Sequence, residues 1–224
     1  MGLEILDKIQ KDILLGICEV SDAENFYLTG GTALSAFYLH HRKSHDLDFF
    51  TSEEELIPSF SLRLEVHLRK NAFEVEKKRG FRSFTELAVS SAAGSTIIHI
   101  ALDSPYRLEE MRQSKDYGNL MIDSLQDLAA NKLLTIFGRA NLRDFVDVYF
   151  LVKEKFGKKE LIEDATKKDP GLDLYWLGVA MERINEFSDD SAEMLLLLKP
   201  CSIGDLQEFF NKWRREIFEE VTQG

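Results

Sequence analysis

Phe26-Tyr27-Leu28-Thr29-Gly30-Gly31-Thr32-Ala33-Leu34 is followed, one helix length later, by Arg42-Lys43-Ser44-His45-Asp46-Leu47-Asp48-Phe49-Phe50. The residues from Asn25 to Thr29 read as a short buried strand, Gly30-Gly31 as a turn, and the stretch from Thr32 to His41 as a helix with Thr32 as its N-cap. From His45 to Thr51 polar and apolar residues alternate, the pattern of a second strand. On such a strand Asp46 and Asp48 point to one face, while Leu47 and Phe49 point to the core. A glycine pair between strand and helix lets the backbone approach a bulky anion, and the helix start offers unpaired N–H groups to phosphate. Two adjacent carboxylates suit an oxygen-seeking divalent ion, which takes one or two acids and completes its shell with water and phosphate oxygens. Read singly, a glycine pair is a turn and Asp-Leu-Asp-Phe a half-exposed strand. Their order, strand to Gly-Gly to helix to Asp-x-Asp strand, is what makes the signal specific.

Outward from this segment, residues 3–19 carry apolar positions at three- and four-residue spacing, an amphipathic first helix. Residues 58–71 form a helical pattern, and 73–78, 82–90 and 95–102 read as strands, with turns at Gly80 and Ala93-Gly94. Beyond Leu108 strand signals give way to helical periodicity over 124–138, 142–156, 159–168, 172–187 and 204–221. The expectation is a mixed α/β part over residues 1–115 and a helical part over 116–224, with no low-complexity linker between them.

The chain carries a formal net charge of -11, which argues against a protein that coats itself with nucleic acid, since phosphate binding needs a positive field. Lys77, Lys78, Arg79 and Arg82, and Lys212, Arg214 and Arg215, are local basic groups that read as solvated faces. No apolar run reaches the roughly 18–20 residues of a membrane span. The amino-terminal residues lack the basic region and cleavage site of a signal peptide, so a cytoplasmic location with no membrane association is expected. Cys18 and Cys201 stand apart without metal-ligand spacing and read as reduced, buried small hydrophobes.

The Gly-Gly turn and the two acids on the next strand resemble the first motif of the polymerase-beta nucleotidyltransferase superfamily. A second stretch narrows the resemblance. Ser124-Leu-Gln-Asp-Leu-Ala-Ala-Asn-Lys-Leu-Leu, then Arg139, then Leu142-Arg-Asp-Phe-Val-Asp-Val-Tyr-Phe-Leu151 is similar to the helical motif of the AbiEii/AbiGii toxin family, over roughly residues 25–155. The resemblance implies an α/β (α+β) fold, with a polymerase-beta-like core on a mixed sheet followed by a C-terminal helical part. It implies transfer of a nucleoside monophosphate from an NTP to an acceptor hydroxyl of RNA or protein, with Mg²⁺ or Mn²⁺ at Asp46 and Asp48. It also implies the toxin half of a toxin–antitoxin pair with a cognate antitoxin. Gly30, Gly31, Thr32, Ser44, Lys132 and Arg139 are the nucleotide-binding candidates, and Asp46, Asp48, Asp103 and Asp144 the catalytic ones. Lys132 and Arg139 lie seven residues apart on one helix face, within reach of one phosphate chain. Asp144 and Asp147 share a face three apart, equally a catalytic support or an interhelical ion cluster.

Members of the wider superfamily carry a third acid on a later strand. Here that position aligns with Ala101, while His99 and Asp103 lie two residues to either side on the same strand face. The gap leaves a second reading open, a nucleotide-binding regulatory module without turnover; a purely structural interaction domain is a third.

Overall fold

In a computed structural model, which describes residues 5–223, the alternating segment around Asp46 lies at the centre of a seven-stranded mixed sheet. The strands are β1 (Tyr27–Thr29), β2 (Asp46–Thr51), β3 (Glu74–Gly80), β4 (Phe84–Ser91), β5 (Gly94–Leu102), β6 (Arg112–Gln113) and β7 (Met121–Ile122), in the order β3-β4-β5-β2-β1-β7-β6. β2 runs antiparallel to β1 and parallel to β5, and β1 runs parallel to β7.

Period-two alternation divides the sheet by chemistry. Leu28, Leu47, Phe49, Leu87, Val89, Ile98 and Ile100 are buried on one face. Against it pack α1 (Lys8–Ile17) and α3 (Leu56–Lys70), which contribute Ile9, Ile13, Phe60 and Leu64. Phe26, at the entrance to β1, stacks on Phe60 with ring centroids 3.9 Å apart. Full burial of each such side chain is worth roughly 1.5–3 kcal/mol, which holds the sheet in one register, because a one-residue slip would turn Leu47 and Phe49 out and both aspartates in. The opposite face of the same strands carries Thr29, Asp46, Asp48, Glu86 and His99.

Three sequence expectations are corrected here. The first helix is shorter than 3–19, starting at Lys8 after an Asp7 N-cap whose backbone N–H is accepted by Gln10 Oε1 at 3.0 Å; residues 3 and 4 lie outside the described residues. The second helix, α2, starts at Gly30 rather than Thr32, so Thr29 is the N-cap and Thr32 lies inside the first turn. α2 (Gly30–Leu34) then widens into a π-helical turn over Ser35–Leu39 that ends at His40 with φ 52°. Strand structure also persists past residue 108, in β6 and β7. Each is only two residues long, too short to register as alternation.

The described chain divides into two units, one ending at Ser124 and one beginning at Leu125. The second contains α4 (Leu125–Gly138), α5 (Leu142–Glu154), α6 (Lys158–Lys168), α7 (Leu174–Met181) and α8 (Ile203–Gln223). Its core includes Leu133, Phe145, Leu161, Leu177, Phe210 and Trp213. Asp173 caps α7, its carboxylate accepting from Trp176 N–H at 2.9 Å. No helix among the described residues is long and apolar enough to cross a membrane.

Candidate active site

Gly30 is the pivot of the site. Its φ of +73° lies where an L side chain is strained, and a Cβ there would overlap Asp48 Oδ2 and sit 2.9 Å from Asp48 Cγ. Gly31 is constrained differently, by space: a Cβ there would lie 2.6 Å from Arg42 Nη2 and 3.0 Å from Ser44 Oγ. The glycine pair thus closes onto Asp48 on one side and onto Arg42 and Ser44 on the other. Thr32, buried within α2, donates its hydroxyl to the carbonyl of Asp46, tying the helix to β2. Gln10 of α1 donates to the Ser44 carbonyl at 2.8 Å, fixing the approach to β2 from the other end.

Asp46 and Asp48 emerge on the same sheet face with alternate apolar residues beneath them. In the parallel ladder with β5, Asp46 stands abreast of Ile97, Asp48 of His99 and Phe50 of Ala101. The residue beside Asp48 is therefore His99; Ala101 lies one step further along. His99 Nδ1 is 2.8 Å from Asp48 Oδ1, and His99 Nε2 is 3.8 Å from Glu86 Oε2 on β4. The hydrogen bond to Asp48, reinforced by the charges of Asp48, Asp46 and Glu86 against the opposing effect of burial, raises the imidazole above its ordinary value of 6.5.

Asp103 lies just past β5, where its N–H donates to the Thr51 carbonyl at 2.8 Å. Its carboxylate accepts from the Tyr27 hydroxyl and faces Arg107 Nη2 at 3.5 Å. Burial first, and then Asp103, push the Tyr27 phenol well above its usual range. The Arg107 guanidinium lies over the Tyr27 ring at 4.0 Å and donates to Asp123 Oδ1 at 2.8 Å. Asp123, fully buried, accepts from the Thr29 hydroxyl at 2.7 Å through its other oxygen. Asp103 is thus engaged by Tyr27 and Arg107, and Asp123 anchors the residue that precedes Gly30.

In the helical unit, Lys132 Nζ lies 2.7 Å from Asp147 Oδ2 and 3.6 Å from Asp144 Oδ1, with all three side chains buried. Arg139 donates to both Asp144 oxygens, at 2.9 and 3.0 Å. Burial opposes ionisation of Asp144, but the Arg139 hydrogen bonds and the Lys132 charge outweigh it and hold the carboxyl below its ordinary value. Lys132 and Arg139, seven apart, do share a partner: Asp144.

Arg42, buried against Gly31, and the buried Asp123 belong to the site without standing out in the sequence. The basic run on β3 and its turn is paired: Lys77 with Glu65 at 3.8 Å, Lys78 with Glu76 at 2.5 Å, Arg79 with Glu86 at 3.7 Å and Arg82 with Glu54 at 2.7 Å. Cys18 and Cys201 are free thiols, half-buried rather than buried as expected.

For a divalent ion, the donor chemistry fits. Asp46 and Asp48 present two hard oxygen donors on a half-exposed face, and no group of three or more His, Cys, Asp or Glu side chains that could hold a metal ion occurs among the described residues, so water and phosphate oxygens would have to complete the shell.

A relative from Aquifex aeolicus (strain VF5), "Uncharacterized protein aq_aa25", is 28% identical over 214 residues, covering 95% of each chain. A candidate nucleotidyltransferase from H. pylori has a crystal structure that superposes with a TM-score of 0.62 at 17% identity, covering 96% of this chain and 94% of that one. MenT4, nucleotidyltransferase toxin Rv2826c from Mycobacterium tuberculosis H37Rv, superposes with a TM-score of 0.59 at 17% identity, covering 93% and 81%. These likenesses agree with the nucleotidyltransferase fold. The model of the nucleotidyl transferase AbiEii toxin family, type IV toxin–antitoxin system, matches residues 12–190, and the chain belongs to that family of nucleotidyltransferase enzymes.

Proposed function

We propose that the protein transfers a nucleoside monophosphate from an NTP to an acceptor hydroxyl on RNA or protein, releasing pyrophosphate, as the toxin partner of a cognate antitoxin. The observation that carries this reading is the closure of the Gly30-Gly31 turn onto Asp48, with Asp46 on the same sheet face. Asp46 and Asp48 would hold Mg²⁺ or Mn²⁺, which when bound offsets triphosphate charge and stabilises the developing pyrophosphate. The Gly30-Gly31 backbone and the Thr32 turn form the phosphate cradle, and Ser44 lies against Gly31 beneath it. The ion pairs of Lys132 and Arg139 with Asp144 and Asp147 use their charge within the helical unit, and support the interhelical ion cluster there rather than a triphosphate contact. Catalysis in this scheme is positioning and electrostatics, with no covalent enzyme intermediate.

The engagement of Asp103 by Tyr27 and Arg107 favours a second reading, a nucleotide-binding regulatory module, because a paired carboxylate is a poor substitute for a general base. Calorimetry tests what both share. NTP affinity should be strong in Mg²⁺, absent in EDTA, and lost in Asp46→Asn/Asp48→Asn. Equal affinity in all three conditions overturns the assignment.

A further inference from the structure

We infer that His99 is a positioning residue for Asp48, fixing which carboxylate oxygen faces the Gly30 turn. The inference rests on the proposed metal role of Asp46 and Asp48. An ionised carboxylate can only accept, so the 2.8 Å contact places the proton on His99 Nδ1, donating to Asp48 Oδ1. The other oxygen, Oδ2, is directed at Gly30, where even a methyl group would overlap it. Asp48 is therefore tied through Oδ1 to His99, while Oδ2 is turned toward the glycine turn.

His99 is itself held. It stands directly abreast of Asp48 and Glu86 in the β2-β5-β4 ladder, and Glu86 Oε2 lies 3.8 Å from the other ring nitrogen. Phe84 packs against the imidazole with ring centroids 5.7 Å apart. A carboxylate–imidazole–carboxylate row of this kind is the arrangement by which an outer residue sets the orientation of a metal-binding acid, and loss of such a partner typically weakens metal affinity by about 10–100-fold. Ala101, the position aligned with the third acid of the wider superfamily, lies one step further along the same strand, abreast of Phe50.

Two substitutions of comparable size separate orientation from packing. His99→Asn keeps a short side chain with an N–H donor for Asp48 Oδ1, whereas His99→Leu keeps apolar bulk beside Phe84 and removes the donor. Binding of Mn²⁺ alone to the full chain is read by electron paramagnetic resonance, with melting temperature recorded for each variant. The expected result is affinity at least 10-fold weaker in His99→Leu and within about threefold of wild type in His99→Asn, with both variants folded. In turnover assays the leucine variant should need a higher Mg²⁺ concentration for its half-maximal rate, and the asparagine variant should not. Wild-type Mn²⁺ affinity in His99→Leu, or equal losses in both variants, overturns the positioning role. Unchanged Mn²⁺ binding in Asp46→Asn/Asp48→Asn overturns instead the metal reading on which it stands.

Discussion

Gly30→Ala is the perturbation whose consequence is best fixed by the geometry. An alanine at φ +73° carries a left-handed penalty of about 1–2 kcal/mol. Its Cβ would also stand 2.9 Å from Asp48 Cγ and 3.1 Å from Asp48 Cβ, closer than real Cβ atoms come or tighter than nearly all do. Asp48 must then leave its rotamer, at about 0.5–1.5 kcal/mol, and weaken its bond to His99, a charged hydrogen bond worth about 1.5–3 kcal/mol. The sum is roughly 3–6 kcal/mol, of which the larger part belongs to Asp48. Repeating the substitution in an Asp48→Ala background removes that part and leaves the φ penalty, so a double-mutant cycle in urea should report a coupling of about 2–4 kcal/mol. An equal cost in both backgrounds would refute the argument, because the glycine would then serve the backbone alone and not the approach of the acid.

Other perturbations reach different parts of the molecule. Thr29→Val leaves one oxygen of the buried Asp123 without its hydroxyl donor and should cost about 1–3 kcal/mol by chemical denaturation. Lys132→Met removes a cation that the buried carboxylates of Asp147 and Asp144 share and should destabilise by about 3–5 kcal/mol; a loss under 1 kcal/mol would mean the cluster relaxes. The Asp144 carboxyl is depressed below 3.8 in the folded state, so its contribution is present above that value and disappears as pH falls through the folded pKa. The stability gap between wild type and Asp144→Asn should therefore be widest near pH 7 and narrow below about pH 4 in urea titrations, and a gap that widens toward acid would contradict the assigned ionisation. Asp46→Asn alone should leave the melting temperature unchanged or raised, since it removes one of two adjacent like charges from a half-exposed strand face and leaves the Asp48–His99 bond in place.

How much was legible in the sequence depended on how local the determining physics is. The alternation in Asp46–Thr51 fixed both the strand and the shared face of the two acids, because period-two burial is written residue by residue. The five helices of the second unit were visible for the same reason, through apolar spacing sustained over several turns. β6 and β7 were invisible because two residues cannot show a period, and their pairing is supplied by distant strands. The start of α2 was misplaced at Thr32 because threonine is a favoured cap; here the Thr32 hydroxyl is drawn instead to the Asp46 carbonyl. The strand neighbour of Asp48 could not be read from spacing alone: whether His99 or Ala101 stands beside it depends on the parallel register of β2 with β5, a long-range property. Asp123 was overlooked for a related reason, since its partners, Thr29 and Arg107, lie at 94 and 16 residues' separation.

The most direct test of the account follows label from two positions of the nucleotide. Purified protein is incubated with each NTP labelled at the α- or at the γ-phosphate, with Mg²⁺, total RNA and total protein from bacterial cells. α-Label is expected in an acceptor fraction and γ-label only in released pyrophosphate, with neither product formed in EDTA or by the Asp46→Asn/Asp48→Asn variant. Incorporation of γ-label, or α-label transfer that survives loss of both aspartates, would contradict it.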